Sequence, residues 1–179
     1  LVEKELSDRV IPFYSLSLLL VAALGGMVLT GDLFNLFVFL EIGSLASYVL
    51  VGVAGGRSLL PAFRYLILGT IGASLYLLGV GYFYAETGTL NMADLAQRLP
   101  EVIDSRAVLT GLVFIVLGLA IKMGLFPLHG WLPDAYTYAP NSSTPLLASV
   151  VTKVPLYAFV RIAFWVFGID AVSTQIPIL

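Results

Sequence analysis

The sequence predicts an all-α polytopic membrane bundle of five transmembrane helices, one of them discontinuous. Three observations carry that reading. The chain of 179 residues is 59% hydrophobic and only 11% charged, whereas soluble domains run nearer a quarter charged. Apolar runs long enough to cross a bilayer, about 20 residues at about 1.5 Å each, recur along the whole length. The fourth of these runs leads straight into GLFPLHGWLPDA, where a glycine and two prolines interrupt it.

The elements follow in order. The chain opens on LVEKELSDRV, a charged stretch with neither an initiator Met nor a signal peptide, which reads as the start of a piece of a longer protein. The first span covers about 13–29 and ends in the turn Thr30-Gly31-Asp32. The second covers about 33–53 and stops at GVAGGRS, and the third about 62–84. The connection AETGTLNMADLAQRLPEVIDSR places Leu90, Leu95 and Leu99 on one side of a short amphipathic segment, about 89–99. Such a segment is expected at the membrane surface, ended by Pro100. The fourth span, about 107–138, is broken after Leu125, and the fifth covers about 145–167 with Gly168 as its cap. Lys4, Arg9, Arg57 and Arg64 fall on one side of the membrane, Arg98, Arg106 and Arg161 on the other. The positive-inside rule then puts the N-terminal end in the cytoplasm.

The composition also narrows the chemistry. There is no cysteine, hence no disulfide, iron–sulfur cluster or thiolate, and one histidine leaves no metal site of several His ligands. No cofactor is expected, and a net charge of −2 does not point to nucleic acid.

Three ionisable residues cannot be placed at helix ends. Glu41 lies eight residues after Leu33, roughly 12 Å into its helix. Lys153 lies at a similar depth counted from Pro145, and Lys122 is fifteen residues past Ala107, roughly 22 Å along. Insertion scales charge about 2.5–3.5 kcal/mol for each such residue at a helix centre, so each needs a partner or a function. Ser44 and Tyr48 share the face of Glu41; Ser149, Tyr157 and Arg161 recur with Lys153 every four residues. Two internal polar stripes are expected, one carrying an acid and one a base. Static ion pairing is the plain alternative, and snorkelling accounts for Arg64 and Arg161. Lys122 sits immediately before the interruption, and broken helices at membrane depth are tolerated where they are buried or line a wet cavity. His129, just beyond the break, reads equally as a structural histidine or a polar relay.

The stretches TGDLFNLFVFLEIGSLASYVLVG, KMGLFPLHGWLPDAYTYAPNSSTPLLASVVTK and LYAFVR resemble the antiporter-like subunits of respiratory complex I, Mrp-type Na+/H+ antiporters and membrane-bound hydrogenases. The resemblance runs from about Pro12 to Ile169, and the first stretch looks most similar to the D-type antiporter subunit. It implies that this chain is one five-helix repeat of an inverted-repeat transporter. It also implies proton-translocation roles for Glu41, for Lys122 in the broken helix and for Lys153 in a central proton wire. His129 matches the family's histidine after the break. Tyr136 stands where many relatives have a second histidine. The partners implied are other membrane subunits of a multi-subunit complex in a prokaryotic plasma membrane, and the ions are protons or Na+.

The mechanism expected is proton loading on Lys122 when it is paired with Glu41 and transfer to Lys153 when the pair opens. His129, Tyr157, Ser149 and Asp134 are candidate relay groups, with internal water. The driving energy has to come from a partner. One rival is an integral membrane enzyme using His129, Asp134 and a lysine, but no metal-ligand cluster, G-x-S-x-G or phosphate loop supports it. The other is a scaffold subunit that transports nothing itself.

Overall fold

The computed structural model describes residues 2–168; Ile169, the last residue of the family resemblance, lies outside them. Among the described residues the fold is all-helical, with one isolated β-bridge between Asp32 and Asn91. After a short helix α1 (Val2–Leu6), the chain forms α2 (Val10–Leu29), α3 (Leu33–Gly52) and α4 (Leu59–Thr87). It continues with α5 (Met92–Val102), α6 (Arg106–Met123), α7 (Leu132–Tyr138) and α8 (Thr144–Val166). Five of these, α2, α3, α4, α6 and α8, are long and apolar enough to cross a membrane.

Short connections make α2, α3 and α4 successive antiparallel neighbours, and α6 packs most extensively along α4. The reason for that close approach is glycine on both sides. Gly72 and Gly79 of α4 face Gly118 and Gly111 of α6, and a Cβ added at Gly118 would lie 2.7 Å from the backbone nitrogen of Tyr76. Small residues let backbones meet where lipid supplies no hydrophobic drive between helices.

The two ends of the bundle are closed differently. At one end Arg9 donates to the Val53 carbonyl, and the Glu5 carboxylate accepts from the backbone amides of Asn141 and Ser142. At the other, Asp32 caps α3 through the Asn35 amide, and Arg161 donates to the carbonyls of Val28 and Thr30. That end also holds α5. Pro100 does not end this helix, which runs one further residue pair to Val102. Pro100 is exposed, so the one backbone bond it forfeits, to Ala96, falls where water can replace it. The helix docks on the bundle, burying Met92, Leu95 and Leu99 against the C-terminal turn of α8.

The interruption after α6 is made by glycine before the prolines act. Gly124 adopts φ 68°, its amide bonds to the Ile121 carbonyl, and the Leu125 amide bonds to that of Ala120. This is a Schellman termination, which needs a residue tolerant of the left-handed region. Pro127 then lies in the turns that follow, and Pro133 occupies the first turn of α7, where its missing N–H costs nothing. The last span, α8, is itself irregular: Leu147–Val151 and Ile162–Val166 are π-helical. Pro155 follows the first of these by four residues, and its missing donor leaves the Val151 carbonyl without its α-helical partner.

Candidate charge-pair site at the broken helix

Lys122 sits in the last turn of α6 and is only 4% exposed. Its ammonium donates to Ser44 Oγ at 2.7 Å, to Tyr48 Oη at 3.1 Å and to Glu41 Oε1 at 3.4 Å. All three acceptors lie on α3, at the i, i+3, i+7 spacing that puts them on one helix face. The Glu41 side chain is 27% exposed, so the pair has a buried base and a partly open acid. The C-terminal end of α6 adds its negative half-dipole beside the ammonium.

Two further features hold this arrangement. Gly69 of α4 gives the Tyr48 hydroxyl its space, since any Cβ there would collide with it. Tyr65 meets the Tyr48 ring edge-on at 4.5 Å and stacks flat on Trp131 at 4.0 Å between centroids. The Trp131 indole N–H donates to the Ile121 carbonyl at 2.9 Å, next to Lys122 in sequence. The loop after the break is therefore anchored to the helix end and to the tyrosine that contacts the lysine. The sequence does not mark Trp131 or Tyr65, because an aromatic in an apolar run carries no distinguishing pattern.

A cavity of about 20 Å³ adjoins Lys122, with Ser44, Ser47, Leu40 and Tyr65 in its wall on one side and Val151 and Pro155 of α8 on the other. That is room for about one water molecule.

Lys153 lies outside this cavity. It is exposed, as are Ser149 and Tyr157, the last at 45%. The polar stripe of α8 exists, but on the outer face of the described five-span unit rather than in its interior. Lys153 turns back to the Ala148 carbonyl, and Ser149 bonds to the Leu146 carbonyl. The π-helical turn at Leu147–Val151 winds α8 by more than 3.6 residues per turn. Leu147, Val151, Pro155, Ala158 and Ile162, spaced at three and four residues, take the inward face.

The remaining candidates separate as well. Asp134 forms an exposed ion pair with Arg64 at 2.8 Å and does not contact Lys122. His129 lies in the loop after Gly124 against the Phe126 ring, centroids 5.5 Å apart, and its buried Nδ1 has no hydrogen-bond partner among the described residues. Tyr136 donates to the Leu147 carbonyl, tying α7 to α8.

Comparison with known proteins places the chain in a family. Residues 30–179 match the family described as NADH:quinone oxidoreductase/Mrp antiporter, TM. The chain is 61% identical over 154 residues to NADH-quinone oxidoreductase subunit N of Desulforudis audaxviator, covering 86% of this chain and 31% of that protein. It is 39% identical over 168 residues to the D-type Na(+)/H(+) antiporter subunit of Alkalihalophilus pseudofirmus, covering 93% of this chain and 34% of that one. Among solved structures, a chain of the membrane-bound sulfane sulfur reductase, an archaeal respiratory membrane complex, superposes with a TM-score of 0.83. It is 41% identical, over 90% of this chain and 33% of that chain. The chain thus spans about a third of the length of the relatives it matches. A family match over residues 30–179 and relatives this similar show that the chain belongs to the NADH:quinone oxidoreductase/Mrp antiporter transmembrane family.

Proposed function

We propose that this chain is the ion-handling unit of an antiporter-like subunit, translocating protons, or cations against protons, within a multi-subunit complex of a prokaryotic plasma membrane. The observation that carries this reading is Lys122: a nearly buried ammonium held by three acceptors of one helix, at the end of a broken helix and beside a water-sized cavity. Burial penalises the charge while Glu41 stabilises it, so a shift of a few ångströms between α3 and α6 alters whether the proton stays. Lys122 loads a proton while Glu41 is near and releases it through the cavity toward α8 when the pair opens. Lys153 receives it from the outer face of α8, which requires a further segment or another protein to cover that face and exclude lipid. The relatives include both an oxidoreductase subunit and an antiporter subunit, and so support either kind of assembly.

The test is ion flux into vesicles containing the complete assembly. Lys122→Ala and Lys122→Arg are both expected to abolish flux, the latter because a guanidinium keeps its proton at physiological pH. Wild-type flux in Lys122→Ala would refute the mechanism and favour a scaffold role.

A further inference from the structure

A second polar cleft lies away from the lysine, at the bundle end where α4 begins. It measures about 510 Å³ and is lined by Gly56, Arg57, Leu60, Arg64, Asp134 and Tyr138. Arg57, in the short 3-10 turn that leads into α4, and Arg64, in the second turn of α4, both line this cleft. Arg64 uses one guanidinium nitrogen on Asp134 and keeps its other N–H donors free for a further acceptor. Arg57 is exposed and has no hydrogen-bond or ion-pair partner among the described residues. Two guanidinium groups against one carboxylate leave the cleft a net positive charge. The N-terminal end of α4, 29 residues long, adds the positive end of its dipole at the same place. Directly beside the cleft, Leu59, Leu60 and Phe63 are 56%, 57% and 60% exposed, an apolar strip continuing along the span.

A single negative charge next to hydrocarbon is the chemistry of a phospholipid with an anionic headgroup. We propose that Arg57 and Arg64 bind its phosphate in this cleft, with Tyr138 at the headgroup and the acyl chains on Leu59, Leu60 and Phe63. The planar guanidinium fork suits two phosphate oxygens at once, and basic side chains at the membrane–water boundary attract anionic lipid. Asp134 opposes the ligand, because it competes for Arg64. The site thereby touches α7, the helix that follows the break, and does not depend on ion translocation by Lys122.

The experiment uses the full-length protein in its native assembly, delipidated in mild detergent and titrated with phosphatidylglycerol, phosphatidylcholine or inorganic phosphate, with bound species counted by native mass spectrometry. Phosphatidylglycerol is expected to bind more tightly than either of the others. Arg57→Gln should weaken it about five- to tenfold, the loss of one charged contact, and Arg57→Lys should weaken it less. Asp134→Asn should act in the opposite direction and tighten it. Equal binding of phosphatidylcholine would overturn the proposal, as would equal binding of inorganic phosphate. So would Arg57→Gln or Asp134→Asn leaving phosphatidylglycerol affinity unchanged.

Discussion

The tightest contact of Lys122 is with Ser44, at 2.7 Å, and its carboxylate partner Glu41 stands further off at 3.4 Å. A neutral hydroxyl thus makes the shorter contact to the amine, and the carboxylate that stabilises its charge stands farther away. Ser44→Ala should remove the anchor and leave a buried donor short of one acceptor, costing about 1.5–3 kcal/mol. Flux through the assembly should fall at least about tenfold while Glu41 remains present, measured with pH-sensitive dye in vesicles. Undiminished flux would show that Glu41 and Tyr48 position the lysine without it.

Trp131 links the loop after the break to the end of α6 through the Ile121 carbonyl. Trp131→Phe keeps an aromatic ring against Tyr65 but loses the indole donor and part of the ring volume, so a destabilisation of about 1–3 kcal/mol is expected. Trp131→Ala also empties a buried site and should cost about 3–5 kcal/mol. Unfolding midpoints in detergent would rank the two, and equal losses would mean that the hydrogen bond, not the ring, dominates.

The close crossing of α4 and α6 predicts a sharp positional contrast. Gly118→Ala would place a methyl 2.9 Å from the Tyr76 Cβ and should destabilise the bundle by about 1–3 kcal/mol. Gly81→Ala, on α4 with nothing within 4 Å, should cost no stability and gain up to about 1 kcal/mol, because alanine is the better helix former. Thermal unfolding of both variants decides it; matched losses would contradict the packing.

Glu5 gives a pH dependence outside the membrane. Partial burial pushes its pKa up, but the hydrogen bonds from Asn141 and Ser142 outweigh this and hold it below the ordinary value of 4.5. A depressed carboxylate contributes stability that is present above the unfolded-state pKa and lost as pH falls through the folded one. Near neutral pH the contact should therefore persist, and acidification below 4.5 should release the Asn141–Ser142 amides. The contribution is within about 1 kcal/mol because the group is solvent-screened. Amide exchange at these two residues, corrected for intrinsic rate, should rise on acidification in the native chain and be pH-independent in Glu5→Gln.

The class of this protein and the helix face that carries its acid are both legible in the residues alone. Apolar run length is set by bilayer thickness, so five spans are readable without a fold. Glu41, Ser44 and Tyr48 could be assigned to one face because α3 is a regular helix whose 3.6-residue period holds throughout. The same rule groups Ser149, Lys153 and Tyr157 on one face of α8, but periodicity does not say which face a helix turns inward, and within the described unit that face is outward. Local sterics make Pro100 a stop signal, yet with Met92, Leu95 and Leu99 docked on the bundle α5 continues past it to Val102. Contacts between distant residues belonged to the tertiary structure alone. Arg64 meets Asp134 across 70 positions, and Lys122 meets Ser44 across 78. Those partners are selected by which helices pack and how closely, which the glycines of α4 and α6 set by letting the two backbones touch.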